Sequence, residues 1–162
     1  MTNPIIRTIR FGASLVACLA VGLTGLYFTS LPTAPDWFAA LEKPVFMPPT
    51  WVFYWIWVIL YLLMGISLYL VWSKGLGHRH VQGALSIFGV QMVLNVLWWF
   101  FFFGLQDPYL AFIEVIILGA ALFMTIILVD GVSRPAAFLL APSLLWVSFV
   151  ALLSSTISYL NP

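Results

Sequence analysis

Charged side chains punctuate this chain and leave long uncharged runs between them. The runs cover positions 11–35, 44–73, 81–106, 108–129 and 135–162, the fourth broken by Glu114. Each exceeds the roughly 20 apolar residues that cross about 30 Å of hydrocarbon as a helix. Outer-membrane strands would instead alternate apolar and polar positions over about 10 residues, and the sequence shows no such alternation. The pattern therefore predicts an all-α integral membrane protein. It forms one domain over 1–162, a five-helix bundle with transmembrane helices near 8–30, 50–73, 81–105, 108–130 and 135–160. The first run follows Arg7 and Arg10, as a cleaved signal peptide would, but it outlasts the roughly 7–15 residues of a signal core. Its small residues, Ser14, Cys18 and Gly22, also suit close helix packing. The expectation is a retained helix.

Composition agrees with the pattern. Apolar residues make up 64% and charged residues 7% of the chain, against roughly 45–50% and about 25% in soluble domains. Six basic and five acidic side chains cannot cover a soluble surface, which excludes a water-soluble enzyme, a nucleic-acid binder and a disordered chain. A net charge of +1 gives no electrostatic reason to expect an acidic partner; membrane lipid is the expected surrounding. Cys18 is the single cysteine, so a disulfide framework is out of reach. Arg7, Arg10, Lys74, Arg79 and Arg134 fall on one side of the spans and Lys43 alone on the other. Basic residues favour the cytoplasmic side, so the N-terminus is expected in the cytoplasm of a bacterial cell (inner) membrane and the C-terminus outside.

The segment 31–49 is the longest connection, and long loops in compact proteins are more often functional than short ones. Asp36 is placed to cap a short helix there, and Thr50 to cap the second span. Trp37, Phe46 and Trp51 read either as an interfacial aromatic belt or as part of a lid over the bundle mouth. Along the second span Tyr54, Trp57, Tyr61, Met64 and Leu68 share one helical face. In the third span Gln91 and Asn95 lie four apart, with Trp98 and Phe102 continuing their stripe. Two amides in hydrocarbon need partners, so both should face the bundle interior, as helix–helix glue or as a polar anchor for an apolar ligand. In the fifth span Pro142, Trp146, Phe149 and Leu153 share a face, and Pro142 is placed to kink it. Glu114 is an intramembrane acid, a functional candidate by default, or one that snorkels to the nearer interface. His78 and His80 cannot form a metal site alone, and no acid–base or nucleophilic set is visible.

Taken together, these stretches resemble the TspO/MBR family, the tryptophan-rich sensory proteins related to the mitochondrial translocator protein. The loop motif runs through Trp37, Phe38, Leu41, Lys43, Pro44, Phe46, Pro48, Pro49, Trp51, Val52 and Phe53. The second span continues it with Trp57, Leu60, Tyr61, Met64 and Gly65, and the third with Gln91, Leu94, Asn95, Trp98, Phe102, Phe103 and Gly104. Pro142, Leu144 and Trp146 complete it. Two positions depart from the pattern, Ser143 for a tyrosine and Ser154 for an asparagine. The basic residue of the animal C-terminal sterol segment is missing, since no Lys or Arg follows Arg134; a generic version of that pattern occurs at Leu63, Tyr69 and Lys74.

The resemblance implies a homodimer that needs no cofactor and binds protoporphyrin IX, haem or another hydrophobic small molecule under the first loop, in transport, sensing or stress regulation. The implied ligand-binding residues are Phe46, Trp51, Phe53, Trp57, Tyr61, Gln91, Asn95, Trp98, Trp146, Phe149 and Leu153. Trp37, Lys43, Pro44, Pro48 and Pro49 would form the loop lid, with porphyrin propionates seeking the wet mouth near Lys43. Some family members degrade protoporphyrin in light, so an enzymatic alternative would use Trp51, Trp57 and Trp146 as electron relays. A third reading makes the aromatic residues filling in a purely structural subunit.

Overall fold

A computed structural model describes residues 3–162. It consists of six α-helices: α1 (Pro4–Thr29), α2 (Ala34–Ala40), α3 (Thr50–Trp72), α4 (Arg79–Trp99), α5 (Pro108–Asp130) and α6 (Arg134–Leu160). A π-helical turn, Phe100–Gly104, extends α4. Five of the helices are long and apolar enough to cross a membrane, α4 counted with its π turn; α2 is the short helix of the first loop. The protein is an integral membrane protein.

Proline and short polar side chains set the helix starts. Pro4, Pro35, Pro108 and Pro135 each sit in a first turn, where the missing N–H costs nothing and φ is already helical. Asn3 accepts from the Ile5 N–H at 3.1 Å, and Asp107 accepts from the Tyr109 and Leu110 N–H groups at 3.0 and 2.9 Å. Two expected caps are not used. Helix α2 starts two residues before Asp36 because Pro35 nucleates its first turn, and Thr50 is already helical, preceded by Pro49. Pro142 faces outward in α6, which runs through it without interruption.

Neighbouring helices close a ring in the order α1, α3, α6, α5, α4, with α4 returning to α1. Large apolar side chains such as Val16, Leu23, Trp55, Ile117 and Leu145 point out of the bundle, as a lipid solvent permits. Several hydroxyls inside the spans are satisfied locally: Thr125 donates to the Ala121 carbonyl at 2.7 Å and Ser148 to the Leu144 carbonyl at 2.8 Å, the back-bonding that polar side chains use in apolar helices. Ser67 reaches across instead, donating to the Ala136 carbonyl at 2.9 Å and joining α3 to α6.

Close approach of α1 and α3 depends on glycine. A Cβ on Gly65 would stand 3.0 Å from the Leu15 Cα and 3.3 Å from the Ser14 carbonyl oxygen, both backbone atoms that cannot turn aside. Packing by close contact is what holds membrane helices together, because lipid tails are as apolar as leucine. Gly65→Ala is therefore expected to cost about 1–3 kcal/mol, the usual range for an overpacked interface, and to lower the thermal unfolding midpoint in detergent. Gly12→Ala, with nothing within 4 Å of the added methyl, should not lower that midpoint, since alanine is the better helix former.

Candidate functional site

The loop-side end of the bundle is built from aromatic rings. Six consecutive aromatic residues occupy 98–103, more than one face of an α-helix can turn inward. The π turn resolves this conflict. Its wider winding, closed by the Leu105 N–H on the Phe100 carbonyl at 2.8 Å, leaves two columns of rings inside, and Trp98, Trp99, Phe102 and Phe103 are all buried. Trp98 stacks on Phe102 at 5.3 Å between centroids and Trp99 on Phe103 at 5.7 Å. Such π turns are frequent at functional sites. A continuous α-helix through 105 was the expectation, and ring crowding is the reason it fails.

Between these columns and the loop lies a cavity of ≈ 270 Å³. Phe38 of α2, Met47 and Pro48 of the loop, Phe53 and Tyr54 of α3, and Leu153 and Ser154 of α6 complete its walls with the aromatic columns. Trp98 has its indole N–H buried without a hydrogen-bond partner among the described residues. Unpaired buried donors are rare in folded proteins, and this one belongs to a cavity wall.

The residues singled out in the sequence fall into separate groups around this space. Phe53, Trp98 and Leu153 line it, as does Pro48 from the loop. Trp57 stacks between Tyr61 (5.4 Å) and Trp98 (6.1 Å), behind the wall. Below it Tyr61 donates to Asn95 Oδ1 at 3.4 Å, and Asn95 Nδ2 donates to the Gln91 carbonyl at 2.9 Å and to Gln91 Oε1 at 3.4 Å. Tyr61, Gln91 and Asn95 are fully buried and form a polar floor rather than a lining. Trp146 packs against Phe53 at 5.1 Å and against Phe149 at 5.2 Å, and Phe149 meets Phe46 at 6.3 Å; this second aromatic set buttresses Phe53 from outside the cavity. Trp51 is 67% exposed, on the outward face it shares with Trp55, Val58 and Leu62, so the structure does not bring it to the cavity. Two residues before Phe53, it is turned about 200° around the helix axis. Glu114 is buried and neither carboxyl oxygen has a partner among the described residues, so it does not snorkel.

The loop covers the cavity and is tied down at three places. Trp37 sets its ring edgewise against Phe102 at 5.5 Å and Phe103 at 6.3 Å. The Gln106 amide, on a residue with φ of 57°, donates to the Thr33 hydroxyl at 2.9 Å. Asn161 makes a two-point clamp: its Oδ1 accepts from the Glu42 N–H at 2.9 Å and its Nδ2 donates to the Glu42 carbonyl at 3.0 Å. Lys43 donates to the Ala39 and Leu41 carbonyls at the end of α2 and lies 4.8 Å from the Phe38 ring centroid. Pro44 is buried under the loop, and Pro49 leads directly into α3. Sequence reasoning missed Asn161 and Gln106, whose partners are 119 and 73 residues away and leave no local signal. It also missed Phe38, Met47 and Tyr54 as lining.

The sequence model of the TspO/MBR family matches residues 14–160. A tryptophan-rich protein TspO of Chlorobaculum tepidum is 39% identical over 145 residues, covering 90% of this chain and 91% of that protein. Another of Archaeoglobus fulgidus is 38% identical, covering 94% and 97%. The translocator protein of Ovis aries is 38% identical over 119 residues, 73% of this chain and 70% of its own.

The clamp makes a prediction. A typical intramolecular hydrogen bond contributes about 0.5–1.5 kcal/mol, so Asn161→Ala should speed hydrogen exchange at the Glu42 amide and its loop neighbours roughly two- to tenfold. Exchange in the middle of α3 should not change. Mass spectrometry of peptide fragments reads both regions in one experiment.

Proposed function

Because this chain belongs to the TspO/MBR family, we propose that it is a binding protein for flat, largely apolar tetrapyrroles, with metal-free protoporphyrin IX the preferred ring. The observation that carries this reading is the cavity under the loop, whose walls combine stacked aromatic rings with the unpartnered Trp98 N–H. A porphyrin presents two large π faces to such rings and polar atoms at its rim. Aromatic pairs contribute about 0.5–1.5 kcal/mol beyond the area they bury. Lys43, lying over the Phe38 ring, supplies a cation one side chain away from the cavity, where a propionate would meet it.

Two features refine the ligand. Met47 and Tyr54 are the only side chains of types that hold haem iron among the described residues of the lining; neither histidine nor cysteine is there, which favours the metal-free ring. The cavity volume of ≈ 270 Å³ lies just below the roughly 300–1,000 Å³ of ordinary ligand pockets. Entry of a tetrapyrrole therefore requires the loop to lift, and the Asn161 clamp and the Gln106 bond are what it must break. The charge bias supports an orientation with the cavity end outside the cell membrane and the N-terminus in the cytoplasm.

The test is a titration with protoporphyrin IX in the dark, followed by tryptophan quenching and by the shift of the porphyrin absorption band. Saturable binding is expected. Phe53→Ala and Phe102→Ala, which remove rings without removing a fluorophore, should weaken it about tenfold, while Trp51→Phe on the outer face should leave it unchanged. Quenching that rises linearly and ignores Phe53 and Phe102 would mean the porphyrin dissolves in the micelle, and the reading would fall.

A further inference from the structure

The opposite end of the bundle carries a second, chemically different recess. Arg7 and Arg10 lie three residues apart on α1 and share a face, turned toward the last residues of α3. With Ile6, Tyr69 and Ser73 they enclose a groove of ≈ 210 Å³. A second groove of ≈ 330 Å³ shares Arg7 and Tyr69 with it and is otherwise walled by Pro4, Thr8 and Phe11. The Arg10 guanidinium lies 5.6 Å from the Trp72 ring centroid, a cation–π contact that holds the charge beside the groove rather than free in solvent. Phe11 sets its ring against Tyr69 at 5.3 Å, nearly perpendicular, which fixes the wall common to both spaces.

The charges around this end are one-sided. Arg7, Arg10, Lys74, Arg79 and Arg134 all belong to it, with His78 and His80 on either side of Arg79 at the start of α4. Of the five carboxylates, only Asp130 is at this end, and it closes α5, a helix that packs chiefly on α6 and α4 rather than on α1. The two arginines thus border a recess with no acid built beside them. Arginine offers a fork of donors matched to phosphate oxygens, and the Tyr69 side chain adds a hydroxyl group to the same groove, while the Ser73 hydroxyl donates to the Leu70 carbonyl at 2.9 Å. The adjoining space is walled by Pro4, Thr8 and Phe11 together with Arg7 and Tyr69, so its far side is formed by a proline and a phenylalanine ring. A polar cationic recess continuing into an apolar one, at the end of membrane-spanning helices, matches an amphiphile with an anionic head.

We propose that the grooves formed by Arg7, Arg10, Tyr69 and Ser73 are a binding site for the phosphate of an anionic membrane phospholipid, whose glycerol and first acyl carbons lie along Phe11. Basic recesses between membrane helices are a recognised way of holding such headgroups, and each nearby Lys or Arg is worth about 1 kcal/mol, or roughly fivefold in affinity. The site is at the far end of the bundle from the aromatic cavity and is independent of what the cavity binds.

The 162-residue protein, stripped of lipid in a non-ionic detergent, is titrated with phosphatidylglycerol and with phosphatidylcholine, and bound lipid is counted by native mass spectrometry. Phosphatidylglycerol should bind at least tenfold more tightly. Arg7→Gln alone should weaken it about fivefold, and Arg7→Gln with Arg10→Gln about 25-fold. Arg79→Gln with Arg134→Gln, which removes two charges from the same end but none from the grooves, should change it by less than twofold. Equal affinity for the two lipids would overturn the proposal. So would a loss of the same size in the Arg79 and Arg134 variant, because attraction would then be a diffuse property of the basic end. Full displacement of the lipid by millimolar inorganic phosphate would overturn the lipid in favour of a free anion. Arg7 is exposed and makes none of the ring contacts described here, so the single variant keeps the test decisive if the double one fails to fold.

Discussion

Hydrocarbon can neither donate nor accept a hydrogen bond, and that one constraint organises this molecule. Each backbone group must be satisfied within its own helix, so the chain crosses as helices and puts its irregular backbone at the ends. Side chains obey the same rule. Thr125 and Ser148 turn their hydroxyls back to their own helix, and Asn95 pairs with Gln91 and with Tyr61 at the centre. Since burial from lipid brings no hydrophobic gain, helices associate through close contact and a few interhelical hydrogen bonds. Glycines at close approaches and flat rings that stack over large areas are the two means of gaining contact, and the bundle uses both: Gly65 against Leu15 on one side, the tryptophan and phenylalanine columns on the other.

Aromatic packing explains why a cavity exists where it does. Rings are rigid and pack well only along their faces and edges, so a layer of them cannot collapse to fill every gap as leucines can. Where the two columns of the π turn meet Phe53 and Phe38, their shapes leave a space, and indole N–H groups that found partners nowhere else are stranded next to it. The same residues therefore act as structural filling below the cavity and as walls at its edge. Trp57 belongs to the first class and Trp98 to both.

How much of this the sequence disclosed depends on how local the cause is. The five spans and the burial of Gln91 and Asn95 follow from hydrocarbon length and from the cost of an unpaired amide, and these are written in short windows. Helix faces were legible only while the helix remained regular. Phe53, Trp57 and Tyr61 lie inward as their spacing requires, whereas Trp51, grouped with them through the loop motif, sits on the opposite side of the same helix. Phe38 was read as part of a motif, not as a wall, because only the fold brings α2 over Trp98 and Trp99. The π turn arises from competition among six aromatic residues for one face, a tertiary effect that periodicity does not register. Asn161 is the clearest case. An asparagine at the end of a helix is unremarkable until the loop, 119 residues earlier, lays its Glu42 backbone beside it.

The two ends of the bundle differ in what they can hold and in how firmly they are closed. At the loop end the cover is held by ring edges and by a few solvent-side hydrogen bonds, each worth about 1 kcal/mol, over a space of ≈ 270 Å³. A cover of that strength is stable when closed yet opens at small cost, and on the proposed reading the stacking gained by a porphyrin repays the opening. The closed form is then the resting form, and ligand affinity is reduced by the cost of lifting the loop. Strengthening the clamp at Asn161 would lower affinity, and loosening it would raise affinity until the loop no longer covered the ring. Rigid aromatic walls make the whole adjustment fall on the loop, because Trp98, Trp99, Phe102 and Phe103 are locked by one another. On the proposed reading, recognition and access fall to different parts of the chain: the helices hold the shape of the cavity, and the loop sets how readily a ring enters it.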